Sequence, residues 1–248
     1  MKKDNLGDRM KENYENRAKT QLLRRTPVII RLDGKAFHTF TKDFDKPFDD
    51  IIIKTMQQTM LALCKSIQGC VLGYTQSDEI TLVLNDYAKL ETSAWFDYDV
   101  QKVCSVSASI ATLEFNKNYT QILQRKNIFP PDFRALVRGA LFDSRCFNIP
   151  KEEVANCILW RQQDAIRNSI NSVGQAHFLN KELQGLSTKQ VLYKLLKEKN
   201  INWNDLPIYL QRGSCCIKKE VNELNSWFID TEIPIFKGED RNYIEKLI

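Results

Sequence analysis

The spacing of apolar residues in the first half of the chain predicts alternating strands and helices. Residues 28–33 alternate between two faces, which is typical of a strand, and Gly34 ends this strand. Next, a helix that begins at residue 49 or 50 carries apolar residues at helical spacing: Ile52, Met56, Met60 and Leu63. Residues 69–84 then predict two strands joined by a turn, and residues 97–115 predict a helix that leads to a further short strand.

The resulting order is β-α-β-β-α-β, which predicts an α+β protein with a ferredoxin-like antiparallel sheet and both helices on one face. We expect the other face of the sheet to be open to a substrate. The first strand sends alternate residues to the two faces: Val28, Ile30 and Leu32 to one, and Ile29, Arg31 and Asp33 to the other. Because Asp33 ends that strand and Asp78 lies at the hairpin tip, we expect these two carboxylates to meet on neighbouring central strands.

From about residue 138 the pattern becomes mainly helical. Residues 151–179 predict one long helix, and a second helix opens with Ser187 and Gln190 at the spacing of a capping box. The sequence has no internal repeat, low-complexity tract or Gly/Ser-rich linker. We therefore predict two regions, 1–137 and 138–248, that pack firmly together.

Composition limits the class of protein. A chain of 248 residues with 43% hydrophobic residues can bury a full core. No stretch approaches the roughly 18 consecutive apolar residues of a membrane span, and the N-terminal segment lacks the apolar core of a signal peptide, so we expect a cytoplasmic protein without membrane contact. The seven cysteines form no C-x-x-C pair and there are two histidines, so we expect neither a disulfide framework nor a zinc site.

The net charge of +5 is concentrated at the N-terminus. Residues 1–25 hold eight lysine or arginine residues against four acidic residues. Such a basic arm suits a polyanion such as RNA, and a solvated helix with scattered charges explains the same composition. Charge alone does not decide between these interpretations.

Asp33 and Asp78 are candidates for holding magnesium. Proteins bind Mg²⁺ through one or two carboxylates together with carbonyls, water and substrate phosphate oxygens, and a pair of such ions serves phosphoryl transfer. The backbone N–H groups after Gly34 can form an anion nest for a triphosphate, and Lys46 can add a point charge to it. Turn chemistry is the alternative, because Asp-Gly after a strand and Ser-Asp-Glu in a hairpin satisfy turn amides without any metal.

Other polar residues of the first half carry less chemistry. The acidic run Asp43, Asp45, Asp49, Asp50 is not a calcium loop, because it lacks the glycine at the sixth position and the distal glutamate. Neither His38 nor His177 has a Ser or Cys partner at motif spacing, so we assign no proton transfer to them.

A polar stripe lies along the long helix predicted in the second half. It consists of Arg161, Asp164, Asn168 and Asn171, with Arg167 beside it. Such a stripe is typical of the solvated face of an amphipathic helix, and it also suits RNA phosphates and base edges. Trp160 or Trp203 can stack on an exposed base, although buried aromatic residues are common.

Eight short segments form an ordered series from residue 31 to residue 214: RLDGKAFHTF, KPFDD, GYTQSDEITLVL, FDSRCFNIP, WRQQD, GLSTKQ, NINWNDLP and RGS. Together they resemble the tRNA(His) guanylyltransferase family, whose members add nucleotides to the 5′ end of tRNA, in the direction opposite to ordinary polymerases. The resemblance implies a palm-like catalytic domain for residues 1–137, like that of polymerases and nucleotidyl cyclases. It implies a mainly helical region for tRNA contact and oligomerisation for residues 138–248.

The resemblance also implies a set of site residues. Asp33, the carbonyl of Gly34 and Asp78 would hold two Mg²⁺ ions at the catalytic centre, with Glu79 supporting them. The nucleotide triphosphate would be bound by the backbone of Asp33, Gly34, Lys35, Ala36, Phe37 and His38, together with Ser77, Asp78, Lys46 and Lys102.

The implied reaction uses GTP or another nucleoside triphosphate, ATP and tRNA. ATP activates the tRNA 5′-monophosphate, or a 5′-triphosphate is used directly, and the 3′-hydroxyl of the incoming nucleotide attacks the activated phosphate. Only positioning and charge neutralisation are required of the protein, which fits a site without a catalytic histidine. Family members are usually homotetramers, and the tRNA spans subunits.

One segment departs from the family pattern. Eukaryotic tRNA(His) enzymes carry His-Ile-Asn-Asn shortly after the WRQQD-like run, whereas this chain has Ile166, Arg167, Asn168 and Ser169 there. Since that motif is associated with recognising tRNA(His), its loss favours the guanylyltransferase-like branch, which repairs 5′-truncated tRNAs by templated addition. The shortened segment before NINWNDLP favours the same branch. We therefore predict template-dependent tRNA repair, with addition of G−1 to tRNA(His) as the alternative.

Two further classes are alternatives to the polymerase. A nucleotidyl cyclase shares the palm and its two carboxylates but needs no tRNA surface. A non-catalytic RNA-binding protein would carry the acidic pair as turn chemistry only. The basic arm, the helical second half and the ordered motif series favour the polymerase over both.

Overall fold

The computed structural model describes residues 5–42, 44–126, 138–221 and 224–248. Some residues discussed above lie outside these ranges: Lys2, Lys3 and Asp4 of the basic arm, Asp43 of the acidic run, and residues 127–137 before the predicted boundary.

An antiparallel sheet forms the centre of the fold. Its strands are β1 (Val28–Gly34), β2 (Cys70–Gln76), β3 (Glu79–Leu84), β4 (Phe142–Asn148), β5 (Ser214–Val221) and β6 (Leu224–Asp230). They lie side by side in the order β4-β1-β3-β2-β5-β6. The first four have the strand order of a ferredoxin-like sheet, so the predicted fold class is confirmed, and β5 and β6 extend that sheet at one edge.

The helices are α1 (Leu6–Met10), α2 (Phe37–Phe40), α3 (Asp50–Ser66), α4 (Val100–Arg125), α5 (Lys151–His177), α6 (Asn180–Leu183), α7 (Thr188–Lys199), α8 (Ile208–Arg212) and α9 (Asn242–Glu245). Asp49 caps α3, because its Oδ1 accepts from the N–H groups of Ile51 and Ile52 at 2.9 and 3.0 Å. The predicted capping box of α7, formed by Ser187 and Gln190, is confirmed.

Helices α3 and α4 cover one face of the sheet. Ile30 and Leu32 of β1 pack there against Met60 of α3 and Phe115 of α4, and each of these side chains is at most 1% exposed. This is the core that the alternating pattern predicted, and it holds both helices on the same side of the sheet.

The other face of the sheet is covered as well, so the expectation of an open face was wrong. Ile29 of β1 and Tyr74 of β2 are at most 1% exposed and belong to a second core with Val154 and Ile158 of α5. A sheet that is covered on both faces needs apolar residues on both, and Ile29 supplies this within β1. Within β1, the last residues on that face, Arg31 and Asp33, are polar and partly exposed, so the sheet becomes accessible at this end.

Three strands of the sheet, β4, β5 and β6, come from residues beyond 137, the predicted end of the catalytic domain. Strand β4 pairs with β1 along its whole length, from Val28 opposite Asn148 to Gly34 opposite Phe142. The sheet is therefore built from residues on both sides of the predicted boundary. Among the described residues, no helix has the length and apolar character to cross a membrane.

Candidate active site

Asp33 and Asp78 lie together at the end of the two central strands. Asp33 is opposite Glu79 in the β1–β3 register, and the N–H of Gly34 donates to the carbonyl of Asp78 at 3.1 Å. Ser77 has a φ of 50°, in the left-handed region, where the chain turns tightly from β2 into β3. The hairpin thus presents Asp78 beside the end of β1.

Both carboxylates are partly buried next to other negative charges. Burial raises the pKa of Asp78, to which Asp33 and Glu79 add repulsion, while a hydrogen bond from Ser77 at 3.0 Å opposes the shift. Burial also raises the pKa of Asp33, followed by repulsion from Glu79 and Asp143. Within the ranges that the structure describes, neither carboxylate has an ion-pair partner. Two crowded, unpaired carboxylates favour the binding of a cation.

The raised pKa values predict how stability depends on pH in metal-free protein. A carboxyl whose pKa is higher in the folded than in the unfolded state stabilises the fold below its unfolded pKa and loses that contribution as the pH rises through its folded pKa. We therefore expect Asp78→Asn to raise the urea midpoint at pH 7 in the presence of EDTA. The gain should shrink as the pH falls and the wild-type carboxyl becomes protonated. A gain that is the same at all pH values would contradict this origin.

Glu79 has a different environment from the two aspartates. It forms ion pairs with Arg31 of β1 and Arg161 of α5, and its Oε2 also accepts from Gln76 Nε2 at 2.7 Å. The family resemblance implied that Glu79 supports the metal ions, and neither arginine was predicted as its partner. Arg31 was detectable in principle, because it lies two residues before Asp33 on the same face of β1.

A cleft of about 520 Å³ opens beside the two aspartates. Predicted site residues line one side of it: Asp33, Gly34, Ala36, Phe37, His38, Lys46, Ser77 and Asp78. The loop turns at Ala36, which has a φ of 54°. Gly34 is required here, since a Cβ at this position would lie 2.2 Å from the ring of Phe37.

The backbone amide of Lys35, one of the predicted phosphate ligands, is not free to bind a phosphate. The N–H of Lys35 donates to the carbonyl of Leu141 at 2.8 Å, so it is already engaged, as is that of Gly34. The predicted anion nest for the triphosphate is therefore left with the backbone amides of Ala36, Phe37 and His38.

Lys102 lies away from the cleft. The N–H of Phe142, the β4 residue opposite Gly34, donates to Thr112 Oγ1 of α4 at 3.2 Å. Lys102 precedes Thr112 by ten residues, or about 15 Å of helix at 1.5 Å per residue. It therefore lies near the opposite end of β4, where Cys104 contacts Cys146 at 3.6 Å. The spacing in the sequence did not reveal which end of α4 faces the site.

Helix α5 forms another wall of the cleft, with Ala165, Asn168, Ser169 and Ser172. The polar stripe of this helix is thus not simply its solvated face, since the Arg161 side chain is only 8% exposed.

The two tryptophans proposed for base stacking differ in their environment. Trp203 is 7% exposed and donates from Nε1 to Ser169 Oγ at 3.0 Å, so of the two explanations given above it fits that of a buried aromatic residue. Trp160 is 48% exposed, and the guanidinium groups of Arg31 and Arg161 lie 5.0 and 4.5 Å from its ring centroid.

The donor atoms at this site suit magnesium better than a metal that needs many protein ligands. In the described part of the chain, no group of three or more His, Cys, Asp or Glu side chains is arranged to hold a metal ion. Mg²⁺ needs only one or two carboxylates when water and substrate phosphates complete its coordination. Asp33, Asp78 and the carbonyl of Gly34 meet that requirement.

Comparison with known proteins identifies the family. The family model described as "Thg1: tRNAHis guanylyltransferase" matches residues 7–150. The chain belongs to the tRNA(His) guanylyltransferase family. A probable tRNA(His) guanylyltransferase of Dictyostelium discoideum is 30% identical over 238 residues, which cover 90% of this chain and 86% of that protein. The uncharacterized protein R259 of Acanthamoeba polyphaga mimivirus is 29% identical over 229 residues, which cover 87% of this chain and 77% of that protein.

Solved structures agree with this membership. A bacterial Thg1-like protein in complex with ATP is 44% identical to this chain, with a TM-score of 0.87. The alignment covers 98% of this chain and 99% of that protein's chain. A bacterial Thg1-like protein in complex with GTP is 42% identical with a TM-score of 0.80, and covers 97% of both chains. The Saccharomyces cerevisiae enzyme, at 22% identity and a TM-score of 0.66, shares the fold.

Membership of the family confirms three predictions from the sequence: the family itself, the α+β palm-like fold and the enzyme class. As a member of this family, the protein is a nucleotidyltransferase of EC class 2.7.7. This outcome favours the polymerase over the cyclase and the non-catalytic RNA-binding protein.

Proposed function

We propose that this protein adds nucleotides to the 5′ end of tRNA by template-dependent repair of 5′-truncated molecules. The observation that carries the proposal is the pair of carboxylates Asp33 and Asp78, which have no ion-pair partner among the described residues and lie at the edge of a cleft lined by residues 36–38 and Lys46. The ATP and GTP complexes of the bacterial Thg1-like proteins support nucleoside triphosphates as substrates, since those proteins align with nearly the whole chain.

Asp33, Asp78 and the carbonyl of Gly34 would hold two Mg²⁺ ions. When bound, the metal would lower the pKa of the attacking hydroxyl and neutralise the leaving group. The backbone from Ala36 to His38 and the Ser77 hydroxyl would bind the triphosphate. Lys46 is exposed and donates from Nζ to the carbonyl of Thr41 at 3.1 Å, so a side-chain rotation would bring its charge to a phosphate.

In the reaction, the 3′-oxygen of the bound nucleotide attacks the activated 5′-phosphorus of the tRNA and its proton passes to water. The bond to the leaving group breaks, which releases AMP from an adenylylated end or pyrophosphate from a 5′-triphosphate. The protein orients the two substrates in line and neutralises their charge, and no side chain forms a covalent bond.

The departure at residues 166–169 supports repair over strict tRNA(His) specificity. Asn168 and Ser169 line the cleft, and Ser169 is held by Trp203 at 3.0 Å. The segment that carries His-Ile-Asn-Asn in eukaryotic tRNA(His) enzymes is thus part of the cleft wall, where Asn168 matches that motif and Ser169 takes the place of its last asparagine. Addition of G−1 to tRNA(His) is the alternative activity.

One incubation tests this proposal. The protein is mixed with Mg²⁺, all four nucleoside triphosphates and a 5′-labelled tRNA, either one that lacks its first nucleotide or full-length tRNA(His), beside an Asp33→Ala/Asp78→Ala control. We expect 5′ extension that follows the complementary strand of the acceptor stem and is absent in the control. Addition of G alone, to full-length tRNA(His) only, would support the alternative activity. No product from either tRNA would overturn the proposal.

We also propose that the protein is a homotetramer, as the family resemblance implies. Light scattering coupled to size-exclusion chromatography should give about four times the chain mass of 28.9 kDa. A monomer mass would contradict this assembly.

A further inference from the structure

Glu79 lies between two arginines that belong to different parts of the fold. Its side chain is 14% exposed. Oε1 accepts from Arg31, and Oε2 accepts from Arg161 and, at 2.7 Å, from Gln76. A carboxylate has about four lone-pair sites, so most of its acceptor capacity is already used. Transferring Glu79 to a metal ion would take the carboxylate away from Arg31 and would leave Arg161 with Asp164 alone, and separating a largely buried ion pair is strongly unfavourable.

Arg161 joins this cluster to the second half of the chain. It is 8% exposed, and its Nη1 donates to Asp164 on the same helix at 2.6 Å. Arg31 and Arg161 also share the ring of Trp160. The cluster therefore ties β1, β3 and α5 together at a single carboxylate that is 82 residues away from Arg161 in sequence.

The position of the cluster explains what it does for the cleft. Asp78 precedes Glu79 directly, and Asp33 is opposite Glu79 in the register. Asn168, two helical turns beyond Arg161 on α5, lines the cleft beside both aspartates. Fixing Arg161 to Glu79 thus fixes the distance between the α5 wall and the catalytic strands.

We infer that Glu79, Arg31 and Arg161 are positioning residues, and that Glu79 sets the α5 wall against Asp33 and Asp78 instead of binding metal. This inference rests on the proposed function, because the cleft it shapes is the one proposed to hold the nucleotide. The inference gives two adjacent acidic residues different roles: Asp78 would bind the metal, and Glu79 would hold the α5 wall in position.

Metal binding without turnover is the first test. Mn²⁺ affinity is measured by electron paramagnetic resonance in the presence of GTP and without tRNA, for wild type, Glu79→Gln and Asp78→Asn. We expect Glu79→Gln to stay within about threefold of wild type and Asp78→Asn to lose more than about tenfold. Equal losses in the two variants would overturn the inference. This measurement does not depend on 5′ addition, so it remains decisive if the proposed function fails.

A double-mutant cycle is the second test. Glu79→Gln and Arg161→Met should each lower kcat for 5′ addition by about 10- to 100-fold, and the double variant should be no worse than the more severe single one, because both break the same contact. Multiplicative effects would show that Glu79 acts independently of Arg161, against the inference.

The matched control is Glu153→Gln. Glu153 lies on α5 but is exposed and bonds only to Asn156 among the contacts described for its side chain, at 3.0 Å. We expect no change in kcat. Thermal unfolding verifies that each variant is folded; if Glu79→Gln is not, Arg161→Lys, which keeps the charge, should retain Mn²⁺ affinity and part of the wild-type kcat. Loss of Mn²⁺ affinity in a folded Arg161→Lys would also overturn the inference.

Discussion

Asp78→Asn should lower the rate of 5′ nucleotide addition by about a thousandfold or more, and Asp33→Ala should do the same. Each change removes one of the two carboxylates at the cleft, and a two-metal site cannot be held by the remaining carboxylate alone. The loss should appear in kcat at saturating nucleotide. Single-turnover kinetics with a 5′-triphosphorylated tRNA would measure it without the ATP-dependent activation step.

Asp143 provides the matched control for this prediction. It lies opposite Asp33 in the β1–β4 register, but its side chain is 58% exposed and bonds to Arg145 at 2.7 Å. Removing an exposed, paired carboxylate has little effect, so Asp143→Asn should stay within about threefold of wild type. If Asp143→Asn lost as much activity as Asp78→Asn, general negative charge at this edge would matter more than the two proposed ligands.

The parts of the fold that the sequence predicted are those encoded by local patterns. The alternation in β1, the capping of α3 by Asp49 and the Ser187 capping box each depend on residues a few positions apart. The covered second face was missed because Ile29 is a single apolar residue among polar ones on its side of β1, and nothing local identifies α5 as its partner.

The same distinction applies to the candidate site. Asp33 and Asp78 were found because each ends or begins a strand at a recognisable turn. The pairing of Glu79 with Arg161 joins residues 82 positions apart, and the displacement of Lys102 depends on the direction in which α4 crosses the sheet. Neither relation has a periodic signature, so tertiary geometry was needed to see them.

Gly213→Ala should destabilise the protein by about 4 kcal/mol, which combines backbone strain with a steric clash. Gly213 joins α8 to β5 with a φ of 84° and a ψ of −169°, a conformation that is essentially restricted to glycine. A Cβ there would lie 2.5 Å from the carbonyl oxygen of Thr75. Since backbone cannot move aside as a flexible side chain does, β5 would have to separate from β2. Urea denaturation measures the change.

Gly185→Ala separates the two contributions. Gly185 has a similar φ of 79°, but no heavy atom lies within 4 Å of its added Cβ. A positive φ is therefore retained while the clash is absent, and the expected cost is about 1 kcal/mol. Because Gly213 also lines the cleft, any Gly213→Ala protein that folds should bind GTP more weakly, whereas Gly185→Ala should bind it normally. Equal stability losses in the two variants would show that the close approach of Gly213 to β2 contributes nothing.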